Sequence, residues 1–308
     1  MKLTYSLLPA AIALVLMQCS STTSGTNETS IPYPEPRPDS VALTFLPGLV
    51  SIDSLDFNST FSPDGKTYYF SRSRHGKYDI YESHFNGTEW STPVVAPFSE
   101  EEYSEADAVF SPDGKLYFIS DRPRNESDTA RDFDIWFIRQ KEDGQWTAPE
   151  NVLAVNSDSS EYYVAFAGNG NMYFATSAGG GFGQHDIYVS RFENGKFGVP
   201  QNLGPAINAS QSEHDPWVST NEQVMFFTSD GRSDSYGTGD LYYSVKGPDG
   251  QWNAAKNMGK RINTPTYEYC TYMSNDGKYF FYSSDFDIKW IDADFLPADV
   301  TSVLSKNP

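Results

Sequence analysis

Five carboxylates recur at one offset in this chain. Asp56, Glu105, Glu161, Glu213 and Glu268 each stand five residues ahead of an apolar residue that leads into a turn, namely Phe61, Phe110, Phe166, Val218 and Met273. Converging acids support two kinds of chemistry. Their oxygens suit a hard cation such as calcium, which takes roughly six to eight oxygen ligands. Alternatively, two carboxyls held in unlike surroundings divide into the acid and base of glycoside cleavage. Asp107 and Asp215 follow two residues after Glu105 and Glu213, so strand alternation places them on the same side as those acids. A second set, Asp79, Asp134, Asp186, Asp240 and Asp287, opens an Asp-Ile or Asp-Leu pair in every repeat. An acid demanded at the same place in every repeat points first to architecture, because Asp closes loops by accepting backbone N–H groups. Arg72, Arg122 and Arg232 stand where they can pair with neighbouring acids or contact a ligand.

Other chemistry is missing from the sequence. The four histidines, His75, His84, His185 and His214, make no H-E-x-x-H spacing, and no G-x-S-x-G elbow is present. The "GGG" at 179–181 is followed by neither Lys-Ser/Thr nor a helix, so it is not a phosphate loop. His185 and His214 join the candidate residues only by falling near the same face as the acids.

The elements that must position these side chains are repeats. "FSPDGKTYYFS" at 61–71 returns as "FSPDGKLYFIS" at 110–120, and weaker copies begin at 166, 218 and 273. The spacings are 49, 56, 52 and 55 residues, which with strand patterns alone points to propeller blades. Each complete repeat reads as four strands. Asn-Gly or Asp-Gly turns before the last strand favour hairpins because they tolerate positive φ. The fifth copy lacks its fourth strand, and "VALTFLPGLVS" at 41–51 resembles the ends of the other repeats. The predicted fold is therefore all-β: a five-bladed β-propeller of four-stranded antiparallel blades, closed by residues 41–46 pairing in the last blade. In such a ring the first strands line the channel. The five leading acids are then expected at one channel mouth, beside the irregular loops 121–133, 177–185 and 230–239.

The "FSPDGK–aromatic strand–S–R…D-I-Y" pattern resembles the WD-repeat-like propeller repeat of the TolB family of bacterial periplasmic proteins. The resemblance covers about 250 of the 308 residues and is strongest in the first two repeats. It implies an envelope protein, in a group that includes scaffolds, propellers fused to peptidases, and sugar-acid lyases. Fold membership does not choose among these functions.

Composition narrows the partners. The net charge is −19, from 22 basic and 41 acidic residues, which disfavours nucleic acid and anionic lipid headgroups. The segment "LLPAAIALVLM" at 7–17 is an apolar run of signal-peptide length, and it ends at "LMQC". This resembles a bacterial lipobox with Cys19 as the lipidated residue, although Gln18 stands where that pattern has a small residue. Ser20 after the cysteine implies the outer membrane. The only other cysteine is Cys270, so no disulfide framework is expected.

The expected organisation is a lipoprotein signal peptide over 1–18, lipidated Cys19 with a flexible tether to residue 40, a propeller over 41–296, and a tail over 297–308. The expected protein is a monomer that touches the membrane only through its lipid. Its expected function is non-enzymatic binding of a protein, peptide or glycan through the loop-rich face, with no cofactor other than a calcium the acidic ring could accept. The alternative is a carbohydrate-active hydrolase or lyase using the channel-mouth carboxylates.

Overall fold

A computed structural model describes Met1 and residues 31–305, so the expected leader, Cys19 and residues 20–30 lie outside the described residues. Five four-stranded antiparallel sheets follow one another as the blades of a propeller. The first strands are Asp56–Phe61, Glu105–Phe110, Glu161–Phe166, Ser212–Val218 and Tyr269–Met273. Second strands such as Leu116–Ser120 and Met172–Thr176 are buried along their whole length. Neighbouring blades cover both of their faces, so they read as continuous apolar runs rather than alternating ones. The fourth strands are short, two residues each, as in Val94–Val95 and Lys256–Asn257.

The ring closes through the start of the chain. Leu43–Thr44 pairs antiparallel with Asp287–Asp292, Leu43 opposite Trp290 and Thr44 opposite Lys289. Phe45 follows as a fully buried wedge, with ring centroids 4.9 Å from Tyr68 in the first blade and 5.1 Å from Phe281 in the last. Its N–H donates to Ile288 O at 2.8 Å. The same bond recurs in the other blades, where Ala96, Val152, Leu203 and Met258 donate to Ile80, Ile135, Ile187 and Leu241. The closing strand thus reproduces the covalently continuous joints.

Packing extends past the expected boundaries at both ends. Ile31 and Tyr33, read from sequence as part of the tether, are buried in the cluster that joins the first and last blades. Trp90 Nε1 donates to Pro32 O at 3.0 Å, Tyr33 Oη donates to Asp276 at 2.7 Å, and Ile31 lies against Gly65. Gly65 and Asp276 belong to first-to-second-strand turns, so this strap crosses the short-turn face. At the other end, residues read as a tail form the helix Ala298–Leu304, which buries Val300 against Val224, Phe280 and Ile291.

Phe45→Ala removes a side chain shared by two blades and should cost about 3–5 kcal/mol. At about 2–4 °C per kcal/mol, the melting temperature should fall by roughly 10 °C. Phe286→Ala, at an exposed aromatic, should leave it unchanged. Equal melting temperatures for Phe45→Ala and the parent would contradict closure through this joint.

Candidate functional site

The five leading carboxylates are fully buried at the joints between blades. Each accepts the N–H of a linker residue four or five positions earlier. Ile52 donates to Asp56 at 3.1 Å, Glu100 to Glu105 at 2.8 Å, Ser157 to Glu161 at 3.1 Å, Ala209 to Glu213 at 2.6 Å and Thr264 to Glu268 at 2.9 Å. The residue just before each of these donors reaches back to the preceding blade. Ser51, Ser99, Asn156, Asn208 and Asn263 accept the N–H of Ile288, Ile80, Ile135, Ile187 and Leu241 through their side-chain oxygens. The acids therefore hold the linkers between blades.

The arginines divide these acids into two kinds. Arg72 Nε donates to Asp56 at 2.5 Å, Arg122 to Glu105, and Arg232 to Glu213 at 3.0 Å. Each guanidinium also lies over aromatic rings, as Arg72 does over Tyr81 at 4.8 Å and Arg232 over Tyr242 at 4.8 Å. Glu161 and Glu268 have hydroxyl donors instead, Thr176 at 2.9 Å and Ser284 at 2.8 Å. Burial pushes the carboxyls of Asp56 and Glu105 up, against the pull of their arginines. Burial pushes Glu161, which has no guanidinium beside it, up to about 7.

Three of the second set of acids secure loops or outer strands, while Asp287 accepts from Thr44 and Lys289 at the closing strand. Asp186 accepts from Phe182 and Gly183 N–H and from Asn202, and Asp240 accepts from Tyr236 and Gly237 N–H and from Asn257. Asp134 accepts from Asn151, with Arg124 3.4 Å away.

Chemistry gathers instead two residues further along each first strand. There, Asn58, Asp107, Tyr163, Asp215 and Cys270 all have positive φ, between 42° and 61°. At the same place the register between first and second strands slips in all five blades. Such bulges sharpen the twist and re-aim side chains. The five residues form a waist in the channel whose members bond from blade to blade. Cys270 N–H donates to Asp215 Oδ2 at 3.0 Å, Asp107 N–H to Ser71 Oγ at 3.1 Å, and Asn58 N–H to Ser283 Oγ at 3.3 Å.

The two waist carboxyls are inequivalent. Burial, and then the charge of Asp215, hold Asp107 well above the usual carboxylate range. Burial acts on Asp215 too, but the adjacent His214 outweighs it and keeps Asp215 low. His214 Nδ1 lies 3.1 Å from Asp215, and its Nε2 lies 2.8 Å from Tyr267 Oη. Burial opposes protonation of His214, yet Asp215 and Asp230 win and raise it to about 10. His185 behaves oppositely. It sits 2.8 Å from Ser212 Oγ, and burial lowers it.

A cavity of about 520 Å³ runs from this waist to the short turns. Asn58, Asp107 and Tyr163 line its inner end, Val109, Ala165 and Trp217 its walls, and Pro63, Pro112 and Thr220 its outer end. Asp107 Oδ1 is buried there with no hydrogen-bond partner. On the loop-rich side of the waist the channel is packed with aromatics. Phe57 meets Tyr78 at 5.1 Å, Tyr267 meets Tyr269 at 5.4 Å, and Tyr162 meets His185 at 5.3 Å. The cavity therefore opens on the face opposite the irregular loops. Among the described residues, no three or more His, Cys, Asp or Glu side chains are grouped to hold a metal ion.

Of the residues singled out from sequence, Asp107, Asp215 and His214 come together in the channel. Asp56, Glu105, Glu161, Glu213 and Glu268 lie instead in the joints, three of them with Arg72, Arg122 and Arg232. Asn58, Tyr163 and Cys270 were not selected, although they share the offset of Asp107 and Asp215. Asn and Asp recurring inside a strand, where both are disfavoured, were the available signal.

No family model matches the chain, and no curated protein does. Solved structures do resemble it. TolB from Acinetobacter baumannii is 17% identical over 70% of this chain, with a TM-score of 0.43, and the chain spans 45% of the length of that protein. A gluconolactonase from Xanthomonas campestris is 13% identical over 83% of this chain and 89% of its own, with a TM-score of 0.46. The tricorn protease is 19% identical over 80% of this chain and 22% of its own, with a TM-score of 0.50. At these identities the likeness is one of fold alone.

Glu161 supplies a pH test. Its folded carboxyl titrates near 7, against an ordinary value near 4.5, so the folded state binds the proton more tightly than the unfolded state. Its contribution to stability is therefore fully present at acid pH and declines as pH rises from about 4.5 to 7. Glu161→Gln mimics the protonated form, and against the parent it should gain on the order of 2–3 kcal/mol between pH 4.5 and 8. Denaturant melts of both proteins at the two pH values measure this, and parallel pH profiles would show that folding leaves the Glu161 carboxyl unshifted.

Proposed function

We propose that this protein is a lipid-anchored binding module of the bacterial envelope, held at the outer membrane through Cys19. Its partner, a protein, peptide or glycan, inserts part of itself into the central channel. One observation carries this reading: three of the left-handed bulge residues, Asn58, Asp107 and Tyr163, floor the cavity, and one carboxyl oxygen among them is buried with no partner. Strain and unmet hydrogen-bonding capacity concentrate where a ligand completes the structure. The joint acids leave no free acidic ring for recognition, since linker N–H groups and hydroxyls already engage them. The leader and the lipobox support the anchor.

A second reading, a carbohydrate-active hydrolase or lyase, is favoured by the opposite directions in which Asp107 and Asp215 are shifted. A neutral acid beside an ionised one is the division that glycoside cleavage requires. If a panel of oligosaccharides yields cleavage that Asp215→Asn abolishes, this reading replaces the first.

Two measurements test the binding reading. Cys19→Ser should move the protein from the membrane fraction to the soluble envelope fraction. Peptides and glycans selected on the full chain should bind at least tenfold more weakly when Pro63→Trp and Pro112→Trp narrow the cavity mouth. Ligands that bind the doubly substituted protein as well as the parent would place recognition elsewhere on the disc.

A further inference from the structure

Asp107 is the only charged side chain among the residues lining the channel cavity. No lysine, arginine or histidine lines the cavity beside it, although the charge of His214, paired with Asp215, also reaches it, and its Oδ1 has no hydrogen-bond partner. Asn58 and the Tyr163 N–H adjoin the carboxyl, and Asp215 lies close enough to repel it. A buried carboxyl in such a place is stabilised most by a cation that supplies both charge and N–H donors. The path to it is long. Pro112 at the mouth lies five positions after Asp107, and the strand between them, ending at Phe110, rises about 10 Å. Its walls are mainly apolar, with Val109, Ala165 and Trp217 facing inward. A group reaching Asp107 therefore needs a slender, extended stem.

We infer that the channel receives a primary ammonium group at the end of an extended chain, with Asp107 as its recognition residue. This rests on the channel-binding reading and specifies its ligand. Two sources offer that chemistry, a linear polyamine and the free amino terminus of a peptide. A free amino terminus also suits a module whose partner is a protein or peptide. A terminal ammonium has three donors, enough to engage the Asp107 carboxyl together with the Asn58 side chain at the waist. A glycan hydroxyl or an acetylated terminus could bond the same carboxyl but brings no positive charge to favour its ionised form over the protonated one that burial imposes.

The test uses the full chain and three probes in isothermal titration calorimetry: spermidine, tetra-alanine amide with a free amino terminus, and the same peptide acetylated. At least one free amine should bind tenfold or more tightly than the acetylated peptide, and the amine that does so identifies the source. Asp107→Asn should abolish that preference without lowering the melting temperature, because Asn also accepts left-handed φ. The overall negative charge attracts any polycation weakly, but such binding would survive Asp107→Asn. Equal binding of free and acetylated probes overturns the inference, as does a preference retained by Asp107→Asn. If Pro63→Trp and Pro112→Trp together still abolish capture of selected ligands, only the ammonium assignment has failed. If they do not, the channel reading itself has failed.

Discussion

The ring depends on a buried carboxylate at each joint. A linker leaving the outer strand of one blade must reach the innermost strand of the next, and its backbone groups lose water on the way. The side chain of Ser51, Ser99, Asn156, Asn208 or Asn263 ties that linker to the previous blade, and the acid five or six residues later accepts the next N–H. Desolvating a carboxylate is costly, and the cost is offset only when its lone pairs are filled. Three joints add a guanidinium clamped over aromatic rings, and two rely on hydroxyls. Of the two hydroxyl-held acids, Glu161 is pushed by burial to hold its proton near neutrality.

With the acids occupied at the joints, the bulge turns the next polar residue of each first strand into the channel. Left-handed backbone at five consecutive blades is strained for Tyr163 and Cys270 and less so for Asn58, Asp107 and Asp215. Rigid blade packing holds that strain in place. The outcome is a waist where acids, an imidazolium and a thiol meet in low dielectric, backed by aromatics on one side and an open cavity on the other.

The blades and their closure were legible because their signals are local. Ser-Pro-Asp-Gly turns, Asp-Ile pairs and the unpaired end at 41–51 specify hairpins and one missing strand, which Leu43–Thr44 supplies. The direction of the leading acids was not legible. Strand alternation put Glu105 and Asp107 on one side, and a bulge between Ala106 and Val109 cancels that rule. A bulge depends on how five inner strands crowd one axis, which no window of sequence contains. Ile31 and Tyr33 were hidden for a related reason. Two apolar residues among prolines look like a linker until the Gly65 turn and Trp290 are known to lie beneath them.

On the proposed lipid anchor, the strap across Gly65 and Asp276 would also orient the disc. It brings the chain in over the side on which the channel opens. With lipid on Cys19, the twelve residue steps to Ile31 span at most about 40 Å, so that side would hang toward the bilayer. The channel would then open into a thin gap between the protein and the membrane, screened from the bulk compartment. The loop-rich side would look outward.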